Sequence, residues 1–304
     1  MKVRPAKNSK VWLLVDGHNM AFRCFYGVPR MTTSEGMHVN AIHGWVRSMW
    51  KLEDSLSPDA VCVFFDSGGS SARKSILSSY KANRKAMPEE LKAQLEYMNL
   101  LSIAHGYYIV FREGLEADDL LAAFAWEVGE NGEIAYIASG DKDFAQCVGG
   151  NVFQVLPPAA EAKGSWRVID RDGVREKFGV FPEQIVDYLS LLGDTSDNIP
   201  GVRGIGAKRA EMFLNQFGSV DNLLKNMEAI SSKKIRENLS NSRELVARNR
   251  ELISLKGSID FRLPEAKINR SVGDILNLLK ALQLKSLLPV AEKRYSNQGE
   301  LFAL

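Results

Sequence analysis

Apolar residues fall in short runs rich in β-branched and aromatic side chains at 11–15, 60–65, 107–111, 134–138 and 152–156. Runs of this length without polar alternation suit strands buried on both faces. Between them, 41–56, 88–105 and 118–128 carry apolar residues at helical spacing. The alternation predicts an α/β fold with a parallel sheet and crossover helices. An edge strand is predicted over 166–170, after a turn-rich loop, and Pro182 opens a helix reaching residue 192. From Gly193 the pattern turns helical, punctuated by Gly201, Gly204 and Gly206. The expected division is an α/β domain over 1–192, a smaller helical subdomain over 193–290 and a flexible tail over 291–304. The stretch 67–87 is polar and basic, and longer than connections in compact domains usually are, which predicts a functional loop, lid or arch.

Hydrophobic residues at 45% and charged residues at 25% allow a sizeable core and exclude wholesale disorder. A formal net charge of +2 is uninformative about nucleic acid; its distribution is not. Residues 203–270 hold 14 Lys or Arg against 8 Asp or Glu, and residues 73–92 hold 6 against 2. Basic segments flanking acidic ones suit a protein that grips phosphates while housing metal-binding carboxylates. Ordinary solvated helix faces are the plain alternative. The cysteines Cys24, Cys62 and Cys147 are isolated, without zinc spacing, as in a reduced intracellular protein. Residues 11–15 are too short for a signal-peptide core and no run approaches a membrane span, so the expected location is cytoplasmic.

The placement of the aspartates changes the picture most. The first predicted strand ends at Asp16, the second at Asp66, and the fourth runs into Asp141. Ligands of open α/β sheets bind beyond the carboxyl ends of the strands, so these three residues meet at one edge. Glu116, Asp118 and Asp119 open the helix after the third strand, at the same edge, and Asp143 follows Asp141 by two residues. So many carboxylates in one crevice repel one another and raise each other's pKa unless cations bind. Oxygen ligands without Cys or His select magnesium or manganese, two or more ions. Singly, Asp118 or Asp119 can be a helix cap and Asp141 an Asx-turn residue. Asp194 and Asp197 add a second acidic pair on one side of a turn, for which two caps are the plain reading.

Residues 201–209 read as a glycine-rich hairpin leading into a helix. Tight glycine turns and free amides at a helix start can receive a phosphate beside Lys208 and Arg209, holding duplex DNA by its backbone. The spacing matches neither a dinucleotide fingerprint nor a Walker loop. In the long polar loop Arg73, Lys74, Lys81, Arg84 and Lys85 surround Tyr80. Cations around an aromatic can hold a strand while stacking on a base; a surface loop is the alternative.

The segments around Asp16 and Asn19, Phe65-Asp66, Tyr80-Lys81 with Arg84, Glu116 with Asp118-Asp119, Gly140-Asp141 with Asp143, and Gly193-Asp194 with Asp197 through Gly206 together resemble the 5′ nuclease family. That family includes the N-terminal domain of bacterial DNA polymerase I, phage 5′ exonucleases and flap endonucleases. The likeness spans residues 11–259 in the family's order. It implies a Rossmann-like, PIN-like nuclease domain with a helical arch over about 67–105, and a helix–three-turn–helix DNA-binding element. By the resemblance, one metal site falls on Asp66, Glu116, Asp118 and Asp119 with Asp16 nearby, and another on Asp141, Asp143, Asp194 and Asp197. The arch cations become Lys81 and Arg84 and the phosphate-contacting arginine Arg23. The hairpin from Gly201 to Lys208 then binds the duplex, with a potassium ion. One departure is Asp66-Ser67-Gly68-Gly69-Ser70, where polymerase-type relatives carry a lysine after the aspartate.

The implied activity is a stand-alone 5′-3′ exonuclease or flap endonuclease acting on DNA near 5′ ends and junctions in replication and repair. The alternative is a catalytically silent DNA-junction binding protein, against which the full acidic set speaks. A phosphatase of doubly wound fold is excluded by the lack of a DxD motif on the first strand. Gln298, Leu301 and Phe302 resemble the short peptides with which replication proteins dock on the sliding clamp; packing back onto the domain is the alternative.

Overall fold

The structure, a computed structural model, describes residues 9–68, 71–158, 165–255, 257 and 259–296. One sheet holds β1 (Val11–Asp16), β2 (Ala60–Phe64), β3 (Tyr108–Val110), β4 (Ile134–Ala138), β5 (Val152–Leu156) and β6 (Arg167–Ile169), in the order β3-β2-β1-β4-β5-β6. β1 to β5 pair in parallel, while β6 at the edge is antiparallel. Alternation sorts each strand between two cores. Leu13, Val15, Val61 and Val63 enter one, while Trp12, Leu14, Cys62 and Phe64 enter the other. Burial of both faces is why these runs are almost wholly apolar; the buried Gln154 of β5 donates to Ser139 O and Asp141 O.

Helices α1 (Gly17–Gly27), α2 (Asn40–Leu56) and α4 (Glu89–Ala104) cover the first face, contributing Met20, Trp45 and Met98. α5 (Ala117–Glu130) covers the second with Leu121 and Phe124. α1 begins with no loop after β1, because Asp16 ends the strand and also caps the helix, accepting from the Asn19 amide at 3.1 Å. Between β2 and α4 lies the short α3 (Ser71–Ile76), followed by turns. The predicted arch span therefore divides. α4 packs in the first core, whereas α3 and its turns lie against the carboxyl ends of the strands, burying Arg73 and Tyr80.

After β6, α6 (Arg171–Phe178) and a 3-10 turn at Pro182–Gln184 lead into α7 (Ile185–Leu192), so the helix expected from Pro182 starts as a tighter turn. A ribbon of β7 (Gly193–Asp194) and β8 (Ile199–Pro200) interrupts what the pattern read as wholly helical. α8 (Ala207–Phe217), α9 (Val220–Lys225), α10 (Lys233–Asn241) and α11 (Arg243–Ile253) then build a core with α7 from Leu189, Leu214, Leu223, Leu239 and Leu252.

The last helices, α12 (Val272–Ala281) and α13 (Leu288–Tyr295), return to the first core through Ile275, Leu279, Ala291 and Tyr295. Residues 291–295, placed in the tail by their polar sequence, are thus packed. Trp50 Nε1 donates to the buried Tyr295 hydroxyl at 2.9 Å, and Arg294 pairs with Glu53 at 2.9 Å and Asp54 at 2.6 Å. Gln298, Leu301 and Phe302 lie outside the described residues. Among the described residues, no helix is long and apolar enough to cross a membrane.

Candidate active site

β1 lies between β2 and β4, so the strand order reverses there and opens a crevice at the carboxyl ends. Asp16 closes β1, Asp66 follows β2 by two residues, and Asp141 follows β4 by three. Asp16 Oδ2 accepts from the Ser139 hydroxyl at 2.9 Å. Asp66 Oδ1 accepts from the Ala117 amide at 2.7 Å, which ties the end of β2 to the start of α5. Asp141 Oδ1 accepts from the Asp143 amide at 3.0 Å and so caps the 3-10 turn Lys142–Cys147. The turn reading of Asp141 therefore holds beside the acidic one, since the cap uses one of its oxygens.

The carboxylates form one electrostatic group. Burial, with Asp141 and Asp66 close by, pushes Asp16 up to about 6. Burial, then Asp16 and Asp141, raises Asp118 well above the ordinary range. Asp143 is raised in the same way by burial, Asp141 and Asp194, and Asp141 by burial, Asp197 and Asp194. Two members go the other way. Burial would raise Asp66, but His18, the Ala117 amide and Lys81 outweigh it. Ser196 and Lys142 similarly outweigh burial and hold Asp194 low.

Cationic side chains enter this group from two places. From the segment after β2, Arg73 grips both Asp119 oxygens at 2.7 and 2.9 Å and Glu116 at 2.9 Å, while its Nε donates to Leu252 O. Lys81 Nζ lies 2.9 Å from Glu116 and 4.0 Å from Asp197, and Arg84 pairs with Asp197. From the turn after β4, Lys142 Nζ reaches Asp194 at 3.1 Å. Among the described residues, no three His, Cys, Asp or Glu side chains are closed into a ready-made metal shell. With ammonium and guanidinium groups bound to Glu116, Asp119, Asp194 and Asp197, those carboxylates are turned to the side chains. Divalent cations nevertheless fit the donor set. It is all oxygen, four of its aspartates are raised by burial and then by neighbouring carboxylates, and Asp143 Oδ1 is buried without a hydrogen-bond partner.

Two expected roles change. Tyr80, read as a stacking platform, is buried, and its hydroxyl points to Glu116 and Asp197 at 3.3 Å each. Its ring is thus part of the core built by α7 to α11, with no face open to a base. Asp119 is engaged by the Arg73 fork and stands behind the group rather than at its open side. Arg73 and Lys142 were not picked out individually from the sequence, because their partners lie 46 and 52 residues away. His18 also escaped notice; its Nδ1 is 3.4 Å from Asp66 Oδ2.

Arg23 sits on α1 two turns beyond Asp16 and donates to Pro158 O. It lines a cavity of about 410 Å³ with Tyr26, Lys51 and Trp166. At the hairpin, Gly201 is required by packing, since a Cβ there would meet Leu192 O at 2.0 Å. Gly204 adopts φ +82°, and Gly206 precedes α8 with no side-chain cap on the helix. Lys208 and Arg209 are exposed at that helix start, and Arg209 donates to Gly204 O.

Known proteins share both parts of this architecture. Residues 11–179 match the description "5′-3′ exonuclease, N-terminal resolvase-like domain", and residues 180–274 match "5′-3′ exonuclease, C-terminal SAM fold". The chain is 34% identical to the 5′-3′ exonuclease of Aquifex aeolicus over 96% of its own length and 100% of that protein. It is 35% identical to DNA polymerase I of Caldicellulosiruptor bescii over 80% of its own length but only 28% of the polymerase. Among solved structures, the T5 5′-exonuclease with zinc bound superposes with a TM-score of 0.67 at 25% identity, covering 93% of this chain and 100% of that one. With the sheet, the strand-end carboxylates and the helical part in place, the chain belongs to the 5′-3′ exonuclease family.

Proposed function

We propose that this chain is a divalent-metal-dependent 5′ nuclease, cutting DNA phosphodiester bonds at 5′ ends, flaps and junctions during replication and repair. The observation that carries the reading is one group of mutually repelling carboxylates at the strand ends, with Lys81 and Arg84 laid directly over it. A silent DNA-binding protein has no use for that arrangement, which costs stability.

Asp16, Asp66, Glu116 and Asp118 would hold one magnesium or manganese ion, and Asp141, Asp143, Asp194 and Asp197 the other. Asp119 would act through Arg73, fixing Glu116 and the start of α5. When bound, such ions supply a water of lowered pKa and stabilise a leaving oxygen. The protein's own contribution is positional and electrostatic. Ser139 and the Ala117 amide orient Asp16 and Asp66 by hydrogen bonds to one oxygen each. Lys81 and Arg84 exchange their carboxylate partners for oxygens of the scissile phosphate and neutralise the charge that grows there. Tyr80, anchored in the core of α7 to α11, keeps Lys81 beside it over the site, with Nζ 4.9 Å from the ring centre. Lys208, Arg209 and the α8 amides hold the duplex backbone without reading sequence. A potassium ion at the hairpin and clamp docking through Gln298, Leu301 and Phe302 extend the proposal.

The test is cleavage of a 5′-labelled flap duplex by the purified chain, with magnesium and with chelator. Magnesium-dependent release of short 5′ products is expected. DNA binding without cleavage in any divalent metal would establish the silent-binder reading instead.

A further inference from the structure

Arg73, Lys81 and Arg84 all belong to the segment after β2. Lys142 does not. It opens the turn after β4, flanked in sequence by Asp141 and Asp143, so its backbone is fixed between two carboxylates of the group. Its ammonium lies 3.1 Å from Asp194 Oδ2. Asp141, Asp143 and Asp194 all feel its charge. Its side chain is 35% exposed where the Asp194 side chain is 7% exposed, so the ammonium meets Asp194 from the more solvent-accessible side.

We propose that Lys142 is a built-in counter-ion that competes with the second divalent cation for Asp194 and its neighbours, holding that ion's affinity below the first ion's. This deepens the reading of the site as a metal-dependent nuclease and rests on it. Lys81 and Arg84 can swing from their carboxylates to an arriving phosphate, whereas Lys142 is covalently tied one residue from Asp141 and from Asp143. An incoming ion must displace its ammonium from Asp194 or share the carboxylate with it, and like charges at that range repel. A DNA phosphate at the same place supplies the missing negative charge and a new partner for the ammonium. Occupancy of the second ion then rises with substrate binding, a reciprocal coupling between metal and DNA.

The test is manganese binding to the full chain without DNA, read from the free-ion signal in electron paramagnetic resonance. Wild type is expected to bind one ion tightly and a second weakly. Lys142→Met should tighten the second by about tenfold or more, and Lys142→Gln should do the same should methionine disturb the turn. Lys142→Arg, which keeps the charge, should stay within about threefold of wild type. In cleavage assays the metal concentration at half-maximal rate should fall in Lys142→Met, separately from any change in kcat. Unchanged or weaker second-ion binding in both neutral variants overturns the inference, as does an arginine variant that matches methionine. Two ions in wild type with no effect of Lys142 would sink this proposal alone. No manganese binding and no cleavage by wild type would sink the nuclease reading with it.

Discussion

Two polar clusters are built into this protein, and their chemistry differs in one respect. Around Glu53, at the junction of α2 with α13, a single buried carboxylate accepts from the Tyr107 hydroxyl at 2.9 Å and pairs with both Arg270 and Arg294. At the strand ends, nine carboxylates (Asp16, Asp66, Glu116, Asp118, Asp119, Asp141, Asp143, Asp194 and Asp197) share the cationic side chains of Arg73, Lys81, Arg84 and Lys142. In the Glu53 cluster each carboxylate oxygen has an arginine, and the Arg294 pair binds α13 to α2. The strand-end group is short of positive charge, and its repulsion is a standing cost that bound cations would relieve. A balanced buried cluster is a fastener; an unbalanced one is a site.

Substitution separates the two. Asp141→Asn should lower single-turnover cleavage at saturating magnesium by about a thousandfold, some 4 kcal/mol in the barrier. Its thermal stability without metal should be unchanged or higher, since one repelling charge is gone, and DNA affinity should be largely kept. Normal turnover would remove Asp141 from the site. Glu53→Gln should do the reverse, costing about 3 kcal/mol of folding stability by stranding Arg270 and Arg294. Urea unfolding checks the loss, and the rate per folded molecule should match wild type.

Within the strand-end group and its DNA-holding surround, two lysines should part in kinetics. Lys81→Ala removes a charge proposed to act on the reacting phosphate, and should slow single turnover by about a hundredfold with little change in DNA affinity. Lys208→Ala should instead weaken duplex binding and flatten its salt dependence by about one unit of slope per lost phosphate contact. Identical defects in the two variants would contradict the separation of chemistry from grip.

The same contrast explains what could be read from the sequence. The strands at 134–138 and 152–156 were legible to the residue, because burial on both faces leaves an apolar run, broken in the second only by the buried Gln154. Knowing where strands end located Asp16, Asp66 and Asp141, and the sheet order brings those ends together. What stayed hidden depends on partners distant in sequence. The buried Arg73 looked like one more cation in a basic loop, and nothing local shows that Glu116 and Asp119 wait for it. Tyr80 looked exposed because its neighbours are polar, although its ring enters a core built mainly from residues beyond 145. α13 was read as tether because Lys293, Arg294 and Ser296 are polar, yet Arg294 faces a carboxylate supplied from α2.

The smallest effect should come from acid, acting on the balanced cluster. His105 is buried beside Glu53's partners, stacked near Tyr107 with ring centres 5.4 Å apart. Its Nδ1 is 2.6 Å from Leu101 O, and its Nε2 is 3.2 Å from Trp50 Nε1, whose one N–H it shares with the Tyr295 hydroxyl. The pattern fits a neutral ring that donates through Nδ1 and accepts at Nε2. Protonation would turn Nε2 into a second donor facing Trp50 and add a cation near Arg270 and Arg294. Burial is the main reason its pKa falls from 6.5 to about 4; Leu101 O and Glu53 oppose it, and the two arginines push the same way as burial. A depressed histidine pKa means that the unfolded chain takes up the proton first. The stabilisation is therefore complete above 6.5 and is lost as pH falls toward 4. By pH 5 the loss should be about 2 kcal/mol. Other groups titrate in this window, so the decisive quantity is the difference between wild type and His105→Gln in urea unfolding at pH 7 and pH 5. Wild type should lose about 2 kcal/mol more than the variant over that interval. Parallel losses in the two proteins would mean that the ring tolerates its proton and that His105 takes no part in fastening α13.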